Sequence, residues 1–257
     1  MKATLTVLGS GTSMGVPTIG CNCRVCTSTD PHDSRTRPSI MVEYDGRCVL
    51  IDTTPDFRQQ AIREKITRID AILYTHAHAD HILGLDDVRP LSFRSPEKIP
   101  LYADESTAQA MEDIFRYIFD PTYKFGGIAR VSMNRINGSV KLFGAEFEPV
   151  KIIHGEAEIH GFRFGSAAYL TDFSDIPPAS LARLQGLDIL FLDALRHNPH
   201  PTHSTVSNSL RLVDELKPRR AFFTHISHDL PHEETNKTFP ANVRLAHDGL
   251  KLEFDIA

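Results

Sequence analysis

Alternation of apolar and polar residues with a period of two marks the opening of the chain, where residues 2–8 read as a strand that stops at Gly9. A Gly- and Cys-rich loop follows to about Pro38. Residues 39–44 and 47–52 read as two strands joined by Asp45-Gly46, a dipeptide suited to a two-residue hairpin turn. Asp56 to Lys65 is a short helix, the apolar run Ile69 to Tyr74 a strand, and Pro100 to Ala103 another. Glu105 to Phe119 carries helical periodicity. Asp120 to Gly127 reads as an exposed loop, so that residues 104–130 form a helix-plus-loop lid. Residues 147–153 and 161–170 are strand-like, and Leu187 to Leu192 is a buried strand. Ser204 to Leu216 is a helix with Ser204 or Thr205 as its N-cap, and Arg220 to Phe223 is a strand. Val243–His247 and Leu250–Phe254, separated by Asp248-Gly249, read as a closing hairpin. No repeat, linker or low-complexity tract interrupts the pattern. Hairpins and helices spread through both halves predict an α/β (α+β) fold of two packed sheets with helices outside. That is a four-layer αββα sandwich, a single domain over residues 1–257.

Composition changes this picture mainly by exclusion. Hydrophobic residues make up 41% of the 257, enough for a sizeable core. The net charge of -5 and a pI near 6.2 argue against a nucleic-acid or anionic-lipid partner, which calls for a basic face. No apolar run reaches membrane-spanning length, and the N-terminus lacks a signal peptide's apolar core, so the cytoplasm is the expected compartment. Of the four cysteines, Cys21, Cys23 and Cys26 fall within six residues. That spacing suits a metal better than a disulfide framework. Cys48 lies in an apolar run and reads as a small buried hydrophobe.

The chemistry concentrates in Thr75-His76-Ala77-His78-Ala79-Asp80-His81, just after the 69–74 strand. In extended backbone His76 and His78 share a side and can share an ion. Asp80 and His81, beyond the turn, suit a second ion nearby, which makes a two-metal centre. Three further candidates each end an apolar strand-like run: His154, Asp172 and His225. His154 would complete the first ion and His225 the second, while Asp172 can bridge both. Asp52 ends the 47–52 strand in the same way and reads as a partner that orients a metal-bound histidine. Three thiolates leave a closed structural zinc site one ligand short. His228, three residues beyond His225, is the best fourth ligand. The cysteine-rich zinc loop would then span about residues 20–38. Gly9, Gly11 and Gly15 lack the Lys-Ser/Thr ending of a phosphate loop and read as backbone turns near the metals.

The set His76, His78, Asp80, His81, then His154, Asp172 and His225, resembles the HxHxDH signature and later ligands of the metallo-β-lactamase superfamily. That resemblance implies the αββα sandwich and a dinuclear hydrolase. The Leu8-Gly9-Ser10-Gly11-Thr12 opening, the Gly20-Cys21-Asn22-Cys23-Arg24-Val25-Cys26 run and Thr224-His225-Ile226-Ser227-His228 further resemble the PhnP-type cyclic phosphodiesterases. In that family the cysteines and the last histidine hold a structural zinc, and the resemblance marks His203 as a catalytic residue near the phosphate. It implies a cytoplasmic enzyme acting on a small phosphodiester, cyclic ones included, through a hydroxide held between two divalent ions. Zinc, manganese and iron all suit those ions. Asp80 would be both ligand and orienter of the nucleophile, and a homodimer fits the family. Residues 104–130 depart from it as a longer insertion, in which Lys124 and Arg130 could touch a phosphate. Two rivals stand beside this reading: a thioester or lactone hydrolase on the same fold, and a non-catalytic PqqB-like accessory protein.

Overall fold

Side chains that alternate between two buried faces build both sheets of the computed structural model, which describes residues 1–123 and 126–257. The first strands are β1 (Lys2–Gly9), β2 (Ser39–Tyr44), β3 (Arg47–Ile51), β4 (Ala71–Leu73), β5 (Ile99–Ala103) and β6 (Val131–Arg135). The next are β7 (Val140–Leu142), β8 (Ala145–His154), β9 (Ala157–Phe164), β10 (Ala167–Leu170) and β11 (Ile189–Asp193). The last are β12 (Arg220–Thr224), β13 (Val243–Leu245) and β14 (Lys251–Asp255). They form two mixed seven-stranded sheets, ordered β14-β1-β2-β3-β4-β5-β6 and β13-β12-β11-β10-β9-β8-β7. Leu5, Val42, Val49 and Leu73 of the first sheet meet Phe147, Phe162, Tyr169 and Phe191 of the second in a shared core. Their neighbours on the opposite faces pack outward. Met41, Leu50 and Ile72 lie under α1 (Phe57–Arg63), α2 (Ala79–Ile82), α3 (Arg89–Ser92), α4 (Glu105–Ile114) and α5 (Arg116–Phe119). Val150, Leu190 and Phe223 lie under α6 (Pro178–Ala182), α7 (Val206–Leu216) and α8 (His232–Asn236). The αββα layering is therefore a direct consequence of period two in the strands. No helix among the described residues is long and apolar enough to cross a membrane.

The hairpin at Asp45-Gly46 forms as its sequence requires, with both turn residues at positive φ (47° and 69°). Thr205 is the N-cap of α7, its side chain accepting from the Asn208 amide at 3.2 Å.

Four elements differ from the sequence pattern. The run 161–170 is parts of two strands: the chain turns at Gly165 (φ 56°), and β9 and β10 pair antiparallel. The helix expected over 105–119 breaks at Phe115, whose φ of -100° and ψ of 37° end α4 and start α5. β6 and β7 were not legible, being short and partly polar. The closing hairpin does not exist. β13 pairs with β12 in the second sheet, whereas β14 pairs with β1 in the first. The Asp248-Gly249 turn is a crossing between sheets, and buried polar chemistry holds it. The Asp248 carboxylate accepts from the amides of Ser10 and Thr36, both at 2.9 Å, and from their hydroxyls at 2.9 and 2.6 Å.

One edge of this sandwich collects the ends that matter. β3 runs parallel to β4, and β10, β11 and β12 are mutually parallel. β8 reaches the same direction through two antiparallel steps, by way of β9. The residues following these strands therefore emerge together.

Candidate active site and metal centres

Asp52 follows β3, the His76–His81 segment follows β4, His154 ends β8, Asp172 follows β10 and His225 follows β12. Three of these residues have left-handed backbone: Asp52 (φ 67°), Asp172 (φ 59°) and His225 (φ 57°). Such conformations cost non-glycine residues on the order of 1–3 kcal/mol and concentrate where function demands them. Here they turn the chain sharply as each strand ends. Gly84, just past the motif helix α2, serves a close approach. A Cβ there would sit 2.0 Å from the Thr54 carbonyl oxygen.

The side chains sort into two groups. His76, His78 and His154 each bring a ring nitrogen within 4.8 Å of the others. His76 Nε2 and His78 Nδ1 are 3.0 Å apart, close to the spacing of about 3.3 Å that two nitrogens take around one tetrahedral ion. The outer nitrogens are fixed. His154 Nδ1–H donates to the Thr202 carbonyl at 2.9 Å, and His76 Nδ1–H to the Thr75 hydroxyl at 3.0 Å. Both leave Nε2 to a ligand.

Asp80, His81, Asp172 and His225 form the second group, all buried. His81 Nε2 lies 3.2 Å from Asp80 Oδ2 and 3.3 Å from Asp172 Oδ1. His225 Nε2 lies 3.5 Å from Asp80 Oδ2 and 3.1 Å from Asp172 Oδ2. Yet Asp80 Oδ2, His81 Nε2 and His225 Nε2 have no hydrogen-bond partner among the described residues. Buried polar atoms left unpaired are costly. Atoms that crowd one another without bonding converge on a common point, as ligands do. Asp172 Oδ2 also lies 4.0 Å from His76 Nε2, between the two groups. The donor sets therefore fit two adjacent divalent cations.

Electrostatics agree. Burial alone would lower the pKa of His225, but Asp172, Asp80 and Asp193 overcome it and raise it to about 9. Burial opposes His81 likewise, and Asp80, Asp172 and Asp52 lift it well above the usual histidine value. Burial would raise Asp80, yet His81 and His225 hold it far below the carboxylate range. This concentration of buried negative charge takes up protons or a cation.

Asp52 is fully buried and accepts three hydrogen bonds. These come from the Thr75 amide (2.9 Å), the Thr75 hydroxyl (2.9 Å) and His81 Nδ1–H (2.8 Å). It sets the tautomer of His81 and leaves Nε2 facing the second group.

His203 stands beside both groups, its ring 4.9 Å from that of His154 and stacked 4.6 Å from that of His225. Its Nδ1–H donates to Asp193 Oδ2 at 2.7 Å. Asp193, wholly buried at the end of β11, is a candidate site residue that the sequence pattern did not single out. The signal was present: Ile189–Leu192 is another apolar run ending in a candidate ligand, and the expected strand stopped one residue short.

The cysteine cluster forms a separate site. His228 Nδ1 lies 3.3 Å from Cys21 Sγ, 3.7 Å from Cys23 Sγ and 3.3 Å from Cys26 Sγ. A tetrahedral zinc with ordinary Zn–S and Zn–N bonds spaces these atoms about 3.6 Å apart. Amides of Thr18 and Cys26 donate to Cys26 and Cys23 Sγ at 3.3 and 3.4 Å; the bond from Cys26 lowers the Cys23 thiol pKa, whereas burial raises that of Cys26. Cys48 is buried in the core and its thiol pKa is pushed up by burial, consistent with a packing role. Of the two cations singled out in the 104–130 segment, Lys124 lies outside the described residues. Arg130 is not at the site: its guanidinium donates to the Ser95 and Pro96 carbonyls at 3.2 and 3.1 Å.

The family model described as "Beta-lactamase superfamily domain" matches residues 47–226. A crystal structure of a diphosphatase from the PhnP family superposes with a TM-score of 0.95 and 65% identity, covering 100% of this chain and 98% of that one. The chain belongs to the PhnP family of the metallo-β-lactamase superfamily. This PhnP-family chain is also 35% identical over 254 residues to an "Octanoyltransferase" of Porphyromonas gingivalis, which covers 97% of the chain and 51% of the relative. It thus spans about half of that relative's length. It is 27% identical to "Coenzyme PQQ synthesis protein B" of Methylorubrum extorquens, covering 96% of the chain and 98% of the relative. The zinc-bound PqqB structure from Methylobacterium extorquens shares the fold, with a TM-score of 0.81 and 21% identity.

Proposed function

We propose that the chain is a metal-dependent phosphohydrolase that cleaves a P–O bond in a small phosphodiester or diphosphate. The observation that supports this best is the His203–Asp193 pair set beside two cation-fitting groups, in a family that includes a diphosphatase. His76, His78 and His154 would hold one divalent ion, and Asp80, His81 and His225 the other, with Asp172 shared. Zinc, manganese and iron all suit these donors. Cys21, Cys23, Cys26 and His228 would hold a structural zinc. The two active-site ions, when bound, supply an acidified water and neutralise phosphate oxygens.

The chain's own side chains do the rest. Asp80 turns one oxygen to its ligand neighbours and leaves the other to orient the attacking water. That water, one proton already lost to solvent, adds to phosphorus as the bond to the leaving oxygen breaks. His203, in its cationic form, gives its Nε2 proton to that oxygen, and Asp193 stabilises the cation through Nδ1. The complete ligand set favours catalysis over a non-catalytic PqqB-like role. A thioester-cleaving activity is the second reading, raised by the similarity to half of a relative named octanoyltransferase. Assays of bis(p-nitrophenyl) phosphate, a dinucleoside diphosphate and an acyl thioester, each with chelator and with metal restored, separate the readings. Metal-dependent turnover of a phosphate substrate is expected. Turnover of the thioester alone would overturn the proposal.

A further inference from the structure

A third cluster of imidazoles lies apart from the catalytic residues and has no part in the chemistry above. His32, in the loop that leads from the cysteine segment to β2, stacks on His247 with ring centroids 4.1 Å apart. The ring of His232, the first residue of α8, lies 4.6 Å from that of His32. Glu233 follows it. One ring nitrogen of each of His32 and His232 and one carboxylate oxygen of Glu233 lie within 4.8 Å of one another. His232 is only 5% exposed, and its buried Nδ1 has no hydrogen-bond partner among the described residues. A buried imidazole nitrogen is seldom left unpaired. Its backbone amide is anchored instead, donating to Asp33 Oδ1 at 2.8 Å. Negative charge is available at the edge of the cluster. Asp30 Oδ1 lies 3.8 Å from His32 Nδ1. Arg35, a buried cation nearby, is held by Asp33 (3.2 Å) and by the Ser227 and Leu230 carbonyls (2.9 and 2.7 Å).

We propose that His32, His232 and Glu233 form a further cation site, taking a borderline divalent ion such as zinc, cobalt or nickel. Two imidazole nitrogens and one carboxylate oxygen make an N₂O set, and water completes the shell. With oxygen and nitrogen donors alone and an exposed carboxylate, the site is weaker than the three-thiolate site and exchanges its ion readily. It joins the same two stretches of chain: residues 21–32 on one side, and residues 228–233 on the other. An ion there fastens the base of the cysteine loop to α8 whether or not the active site is loaded.

The test compares wild-type protein with His32→Gln and Glu233→Gln variants, both at residues that reach the surface, after equilibrium dialysis against micromolar zinc. Equal melting temperatures in chelator establish that the variants fold. Wild type is expected to retain one more zinc per chain than either variant, and zinc is expected to raise its melting temperature further than theirs. Equal zinc content in all three overturns the site. Because the readout is a difference between variants, it stands or falls separately from the active-site assignment.

Discussion

Replacing Asp52 with asparagine removes a charge and one acceptor from a fully buried hydrogen-bond node behind His81. The carboxylate takes three donors, at 2.9, 2.9 and 2.8 Å. Asparagine offers one carbonyl oxygen and an NH₂ that can only donate. If the oxygen takes the place of Oδ2, the NH₂ faces the Thr75 amide, and two buried donors oppose each other. That costs about 1–3 kcal/mol. If the NH₂ takes that place, the Thr75 hydroxyl can rotate to accept, but His81 must move its proton from Nδ1 to Nε2. His81 then has no lone pair for a cation. In either arrangement the ion among Asp80, His81, Asp172 and His225 should bind about 10–100-fold more weakly, the usual effect of losing such an orienting partner. A chromophoric-chelator competition measures this directly, with a denaturant melt of the metal-free protein to check the stability cost. Affinity within about threefold of wild type would refute the role of Asp52 in setting the His81 tautomer.

Alanine at His203 should lower kcat by about 10²–10⁴-fold with active-site metal content unchanged, and Asp193→Asn should lower it less. Undiminished turnover in His203→Ala would remove His203 from the chemistry. Stripped of metal, the protein should lose stability as pH rises. The His225 pKa is raised from near 6.5 to about 9. Its contribution is therefore full below about pH 6.5 and vanishes as pH climbs through about 9. Metal-loaded protein should show the opposite trend, because protons compete for its ligands at low pH. Melting curves at both ends of this window check the sign, and equal stability of stripped protein across it would contradict the electrostatics. Alanine at Asp248 leaves the Ser10 and Thr36 amides without their acceptor at the crossing between sheets. It should cost about 3–5 kcal/mol in a denaturant melt, the range for breaking a buried charged network. A loss under about 1 kcal/mol would mean that water replaces the carboxylate there.

How much of this was legible from sequence depended on whether a feature was local. Strand-end ligands could be read because an apolar run followed by histidine or aspartate is a pattern within a few residues. The structure gathers His76, His78 and His154 in one group and Asp80, His81, Asp172 and His225 in another because the strands concerned point the same way. The approach of His228 to three sulfurs was likewise foreseeable from spacing and ligand count. Partner choice among strands was not. Val243 to Phe254 carries a hairpin's signature, yet its halves enter different sheets, and only the distant Ser10 and Thr36 reveal why. Asp193 escaped although it ends an apolar run like the others, because the expected strand stopped at Leu192 and its partner His203 lies ten residues on, across the loop joining β11 to α7. The imidazole cluster at His32, His232 and His247 is assembled from three remote segments and has no sequence signature at all.

The central claim is that one strand edge builds a two-cation centre. An anomalous-difference map from crystals of metal-loaded protein tests it most directly. Two peaks about 3.5–4 Å apart are expected, one among His76, His78 and His154 and one among Asp80, His81 and His225, with the Asp172 carboxylate between them. A single peak, or none, at that edge in fully loaded protein would contradict it.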